Sequence, residues 1–153
     1  MIYREALIED IKQIQLVRNA VKENTLSDPN QVTDEDCKEY IILRGKGWVC
    51  ELEGHIIGFA IVDLKENNVW ALFISPEHEG KGIGKYLHDL MLNWYFSKKN
   101  ETLWLGTGMN TKAVFFYRKR GWTEVGMHGL KEIKFEMSFQ SWKDKEAAIT
   151  IAY

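Results

Sequence analysis

Between Phe73 and Leu87 the sequence reads Phe-Ile-Ser-Pro-Glu-His-Glu-Gly-Lys-Gly-Ile-Gly-Lys-Tyr-Leu. An apolar run stops at Ser75-Pro76, glycines follow at positions 80, 82 and 84, and an amphipathic helical pattern begins behind them. Glycine takes up positive φ without strain and lets an anion approach the backbone N–H groups closely. A helix N-terminus behind such a loop adds unpaired N–H groups and the positive end of the helix dipole. The physical sum is a cradle for a pyrophosphate, set against the plainer reading of a flexible turn before a helix. Two other phosphate motifs do not fit. The P-loop needs G-x-x-x-x-G-K-[ST], whereas Gly80 to Gly84 is one residue short and Lys85 is followed by Tyr86. The dinucleotide fingerprint needs a glycine where this chain has Lys85, counted from Gly80, or Leu87, counted from Gly82.

The other reactive residue types carry weaker signals. No pair among His55, His78, His88 and His128 has the i, i+4 spacing of a helical zinc site, so no metal is expected. Cys37 and Cys50 have no metal-ligand spacing and read as buried thiols of a reducing compartment rather than a disulfide.

These residues must be positioned by a particular order of elements. Tyr3 to Ala6 suits a short strand, and apolar residues at Leu7, Ile11, Ile14, Val17 and Val21 predict a helix to about Glu23. Asn24 to Val32, with Ser27-Asp28-Pro29-Asn30, reads as a loop. Thr33 and the acids Asp34, Glu35 and Asp36 then start a second helix, which carries Tyr40, Ile41 and Leu43 and stops at Gly45. Strands follow at Trp48–Leu52, His55–Leu64 and Val69–Ile74, joined by turns at Glu53-Gly54 and Lys65–Asn68. The run Val69–Ile74 is almost wholly apolar, as in a strand covered on both faces. A long helix is expected from Gly82 to Ser97, a strand at Thr102–Leu105, a helix at Thr111–Arg120 capped by Gly121, and closing strands at Trp122–Met127 and Ile133–Phe139. In the tail from Gln140, Trp142 to Glu146 reads as a short charged helix and Ala147 to Tyr153 as strand-capable, packed on its own sheet or a neighbouring subunit or left disordered.

Composition limits the function classes. The chain has 153 residues, enough for one core, with 45% hydrophobic and 12% aromatic residues. Its net charge of −2 and pI near 6.1 argue against a nucleic-acid partner. No apolar run approaches the ~18 residues of a membrane span, and Met1-Ile2-Tyr3-Arg4-Glu5 lacks the start of a secretory signal, so a cytoplasmic protein with no membrane partner is expected.

Glu79-Gly80-Lys81-Gly82-Ile83-Gly84, preceded by Leu-Phe-Ile-Ser-Pro, resembles the acetyl-CoA loop Gln/Arg-x-x-Gly-x-Gly/Ala of the GNAT superfamily of N-acetyltransferases. Asn110 and the stretch Ala113-Val114-Phe115-Phe116-Tyr117-Arg118-Lys119-Arg120-Gly121-Trp122 are similar to the family's second signature. The likeness covers about Tyr3 to Phe139, which makes 1–139 a single acetyltransferase domain and 140–153 a tail. It implies an α/β (α+β) fold with a mixed, mostly antiparallel central sheet of about six or seven strands flanked by about four helices. It further implies that the backbone of Phe73, Ile74 and Ser75 bonds the pantetheine arm and that Glu79, Gly80, Lys81, Gly82, Ile83 and Gly84 hold the pyrophosphate, with Lys81 and Lys85 supplying positive charge. Asn110 would contact the cofactor near its thioester, and Tyr117 would protonate the departing thiolate as catalytic acid. The implied reaction moves the acetyl group of acetyl-CoA directly to a primary amine of a small molecule or peptide, with a homodimer as one arrangement.

Two residues depart from the family pattern. Glu79 stands where Gln or Arg is usual, so the loop there serves through its backbone. Many members carry a glutamate base on the preceding strand, and here Trp70 stands near that position. Glu51, Asp63 and His78 are the bases left by elimination, each also readable as an ordinary strand or loop residue. The first two helices would flank the acceptor. Glu23, Asp28, Asp34, Glu35 and Asp36 make that region acidic, suited to a cationic amine or simply to helix capping. Trp48 and Trp70 would line a pocket or fill the core. An acyl-CoA-binding regulatory module without turnover is the alternative function, and an interaction domain with no cofactor is a third.

Overall fold

The computed structural model describes residues 1–21 and 32–152, and Glu23, Asp28 and the expected loop around Pro29 lie outside them. Two compact units are formed, Met1–Tyr95 and Phe96–Tyr153.

The first unit begins with strand β1 (Ile2–Glu5) and a single 3-10 turn at Ile8–Asp10 that leads into helix α1 (Ile11–Ala20). The Asp10 carboxylate fixes that entry by accepting from the Leu7 N–H at 2.7 Å. Helix α1 stops at Ala20 rather than near Glu23, because Val21 is already extended. Helix α2 (Asp34–Lys38) starts at the expected cap. The Thr33 hydroxyl accepts from the Asp36 N–H at 3.0 Å, and the Asp36 carboxylate accepts from the Thr33 N–H at 2.9 Å. The chain then continues as a π-helix over Glu39–Arg44, which lays Tyr40 on Trp70 with ring centroids 4.0 Å apart.

Strands β2 (Gly45–Leu52), β3 (His55–Asp63) and β4 (Asn68–Ile74) form an antiparallel meander, with β1 paired to β2. The turn between β2 and β3 places both Glu53 (φ 51°) and Gly54 (φ 81°) in the left-handed region, as a two-residue hairpin demands. Strand β4 is not covered on both faces. Val69 and Ala71 are buried, whereas Leu72, Phe73 and Ile74 are half-buried. The register explains the change: Ile61 pairs with Ala71 and Val62 with Val69, so Trp70 is an extra, bulged residue. The core of this unit joins Ile11, Ile14 and Val17 of α1, Cys37 and Ile41, and the strand residues Val49, Phe59, Ile61 and Ala71. Both cysteines are free and buried. Helix α3 (Ile83–Lys98) follows the glycine loop, and its last residues open the second unit.

In the second unit, β5 (Leu103–Gly108), β6 (Thr123–His128) and β7 (Glu132–Met137) pair antiparallel, with β7 bonded to both others. Helix α4 (Lys112–Lys119) lies between β5 and β6 in the chain. Gly121, at φ 90°, terminates it, with the Trp122 N–H donating to the Tyr117 carbonyl at 3.1 Å. The described part of the tail is helical as α5 (Phe139–Ala152), so the strand-capable stretch from Ala147 is helix as far as Ala152, and Tyr153 lies outside the described residues. Phe96, Phe139 and Trp142 stack together, and Lys145 donates to the Arg120 carbonyl at 3.0 Å. These aromatic contacts and the carbonyl bond favour continuing the helix over an extended end. Among the described residues there are seven strands and five helices, in line with the expected six or seven strands and about four helices, and the strand pairings within each unit are antiparallel. No helix among the described residues is long and apolar enough to cross a membrane.

Candidate acetyl-CoA site

Strand β4 delivers Phe73 and Ile74 to the start of the loop, where the Ser75 N–H donates to the Ile57 carbonyl at 2.8 Å. Ile57 can accept it because a bulge leaves it out of the β2 ladder, Cys50 pairing with Gly58 and Glu51 with Ile56. A single 3-10 turn, Pro76–His78, closes with the His78 N–H on the Ser75 carbonyl at 2.9 Å. Gly58 lets the strand, loop and helix meet closely. A methyl group on it would lie 2.8 Å from Ile74 Cδ1 and 3.2 Å from Ile83 Cγ2.

Gly80 and Gly82 sit at φ 76° and 82°, and no atom lies within 4 Å of where a Cβ would stand on either. A side chain on either would therefore point into open space. The first turn of α3 begins there, with the Tyr86 N–H on the Gly82 carbonyl at 3.1 Å. Ile83 is buried and anchors the helix, while the N–H groups of the first turn have no partner within the helix. Glu79, Lys81 and Lys85 are exposed on this loop and the first turn of α3, so the lysines can lend charge. Strand end, loop and helix start thus form one continuous segment of the first unit, and its open glycine backbone fits a pyrophosphate.

The remaining expected residues lie in the second unit. Asn110 is exposed in the β5–α4 loop at φ 60°, a conformation asparagine tolerates well. The Thr111 hydroxyl beside it donates to the Gly108 carbonyl at 2.8 Å. Tyr117, on α4, is buried with its ring edge-on to Trp122 at 5.5 Å and tilted to Phe135 at 6.1 Å. Burial pushes its phenol well above the ordinary tyrosine value, so it keeps its proton across the neutral range.

Of the three bases left by elimination, two are engaged elsewhere. Asp63 is held by Arg44 through Nε at 3.1 Å and Nη2 at 2.6 Å, and its oxygens also accept from the Lys65 and Glu66 N–H groups. Glu51 pairs with Arg4 at 3.1 Å. His78 is different: its Nδ1 is buried without a hydrogen-bond partner among the described residues. The acids of α2 serve as structural groups, Asp36 in the cap and Asp34 in an ion pair with Lys12 at 3.0 Å. Trp48 is buried against Trp94, and half-buried Trp70 lies between Tyr40 and Arg18. His55 is exposed, His88 pairs with Asp89 at 3.0 Å, and His128 rests on Trp104. Among the described residues no group of three or more His, Cys, Asp or Glu could hold a metal ion.

One residue escaped the sequence reading. Arg18 is buried among Phe59, Trp70 and Phe73. The available signal was its place on the core stripe of α1, four residues after Ile14 and seven after Ile11.

Residues 11–122 match the family model of the acetyltransferase (GNAT) family. The chain belongs to this family. A ribosomal protein bS18-alanine N-acetyltransferase from Haemophilus influenzae is 38% identical over 72 residues, which are 46% of this chain and 49% of that protein. This chain thus matches about half the length of that relative. Among solved structures, the PaiA N-acetyltransferase of Thermoplasma acidophilum in complex with coenzyme A superposes with a TM-score of 0.78 at 20% identity, covering 90% of this chain and 98% of that one. A ribosomal-protein-alanine N-acetyltransferase from Brucella melitensis gives 0.71 at 19% identity, covering 90% and 99%. Both likenesses concern the fold, and the GNAT architecture agrees with the strand and helix order described above.

Proposed function

We propose that this GNAT protein is an acetyl-CoA-dependent N-acetyltransferase acting on a primary amine of a small molecule or peptide, in the cytoplasm. The observation that carries the reading is the pair of left-handed glycines, Gly80 and Gly82, with open space on their Cβ side just before α3. Coenzyme A carries a pyrophosphate, the kind of anion such a loop binds. In this reading the backbone from Glu79 to Gly84 holds the pyrophosphate, Lys81 and Lys85 add positive charge, and Phe73, Ile74 and Ser75 present main-chain groups to the pantetheine arm. Asn110 contributes a polar contact near the thioester.

Acetyl-CoA supplies an activated acyl group that a neutral amine can take without a covalent enzyme intermediate. Tyr117 is the proton donor for the thiolate that departs. Burial keeps the phenol protonated at neutral pH, the state a donor needs, while the upward shift makes it a weaker acid than a free tyrosine. Of the three candidate bases, His78 is the one that no ion pair engages among the described residues, which keeps it as the base candidate of this reading.

The test is the thermal midpoint with acetyl-CoA, beside free CoA, ATP and NAD. Ligand at ~100 times its dissociation constant adds roughly 2.7 kcal/mol to the native state. A rise with acetyl-CoA and CoA alone is expected, followed by thiol release when amines are added. No shift at millimolar acetyl-CoA refutes the reading, and binding without transfer to any amine leaves a regulatory acyl-CoA module.

A further inference from the structure

Arg18 projects from α1 into the first unit and is 6% exposed. A guanidinium removed from water normally has a carboxylate beside it, because an unpaired buried charge is costly. The other arginines in this unit obey that rule. Arg4 holds Asp10 with two bonds, at 2.8 and 2.9 Å, and Arg44 grips Asp63 through its Nε and Nη2 edge. Arg18 instead faces three rings, with its guanidinium carbon 4.7 Å from the Trp70 centroid, 5.3 Å from Phe73 and 5.8 Å from Phe59. Rings stabilise the charge but leave the N–H donors unmet. Nε and Nη2 of Arg18 are both buried with no hydrogen-bond partner among the described residues. Cys37, the titratable group that acts on it, is itself held protonated by burial, with its thiol pushed up to about 11.

The unpaired edge is the same one with which Arg44 takes both oxygens of Asp63. Two parallel donors on one cation fit a planar monoanion with two oxygens, whereas a phosphate dianion would leave charge uncompensated. Two of the three rings, Trp70 and Phe73, stand on β4, whose residues Phe73 to Ser75 are assigned above to the pantetheine arm, and Phe59 stands on β3.

We propose that Arg18 is the receptor for a terminal carboxylate on the amine acceptor, which makes the preferred substrate a small amino carboxylate, an amino acid or close analogue. The proposal rests on the acetyltransferase reading for the amine and adds the anionic end. Arg18 is then a specificity-determining residue, binding the acceptor while the cofactor loop works unchanged.

Matched acceptors that differ only in the carboxylate test it: alanine with ethylamine, phenylalanine with phenethylamine, lysine with cadaverine. Wild-type protein should show kcat/KM about tenfold to a hundredfold higher for the carboxylate member, the worth of charge-assisted hydrogen bonds, carried mainly by KM. Arg18→Gln should abolish that preference and Arg18→Lys should retain part of it, with the thermal shift by acetyl-CoA unchanged in both. Equal use of each pair by the wild type, better use of peptide N-termini, or an equal loss for both members in Arg18→Gln overturns the proposal. Should these variants fail to fold, 3-phenylpropionate and propionate decide on the wild type alone. Each should compete with the acceptor and perturb tryptophan fluorescence through Trp70, and an unchanged rate with a flat titration overturns it. The acetyl-CoA thermal shift reports on the cofactor reading separately, so the two can fail independently.

Discussion

Replacing Gly82 by alanine separates the stability of the loop from its use. At φ 82° an L-residue is strained by about 1–2 kcal/mol, while the new methyl meets no atom within 4 Å, so strain is the whole cost in the free protein. For a chain of this size about 1 kcal/mol shifts the midpoint by roughly 2–4 °C, so the free variant should melt about 2–8 °C lower. With acetyl-CoA the same methyl occupies the space assigned to the pyrophosphate. Losing one charge-assisted bond to a backbone N–H weakens binding by about tenfold or more. At a concentration ~100 times the wild-type dissociation constant, stabilisation then falls from roughly 2.7 to about 1.4 kcal/mol, and the ligand-induced shift from about 5–11 °C to about 3–6 °C. Differential scanning fluorimetry of both proteins, with and without acetyl-CoA, measures the two effects in one experiment. A lower free midpoint with an undiminished ligand shift would refute the assignment of this loop to the cofactor.

Three further outcomes are expected. Tyr117→Phe should lower turnover by about a hundredfold or more while leaving the acetyl-CoA thermal shift intact. Because burial raises the phenol's pKa, its contribution to stability is complete below the ordinary value near ~10 and is lost as pH rises through the higher folded value, which alkaline denaturation of wild type and variant measures. Asp10→Asn should cost about 2–3 kcal/mol in urea denaturation, since it breaks the paired bonds from Arg4 and weakens the acceptor for the Leu7 N–H. Arg4 and the Leu7 N–H hold the Asp10 carboxyl below the usual range, so wild type should lose this advantage only as pH falls through that depressed value, and the variant should lack that acid limb. Gly58→Ala should cost about 1–2 kcal/mol and also weaken acetyl-CoA binding, because the methyl pushes on Ile74 at the end of β4 and Ile83 at the start of α3.

Local chemistry was legible in the sequence. The Thr33–Asp36 cap, the Glu53-Gly54 turn, the glycine loop before α3 and the Gly121 stop each depend on a few adjacent residues, and the structure forms all four. Apolar spacing also located every strand to within a few residues, since burial of one face needs only the right period. What required long-range contacts was not legible. The apolar run of β4 suggested burial on both faces, but Phe73 and Ile74 are half-buried at its end, and the Trp70 bulge arises from register with β3. The strand-capable tail became helix because Trp142 and Lys145 find Phe96 and the Arg120 carbonyl, partners far away in the chain. Candidate bases could be named from the sequence, yet only folding commits Asp63 to Arg44 and Glu51 to Arg4 while leaving His78 Nδ1 unpartnered. Arg18 is the sharpest case. The sequence by itself set a cation on the core stripe of α1; only tertiary structure decided that rings rather than a carboxylate surround it, because the partners of a buried charge are chosen by packing between elements and not by neighbours along the chain.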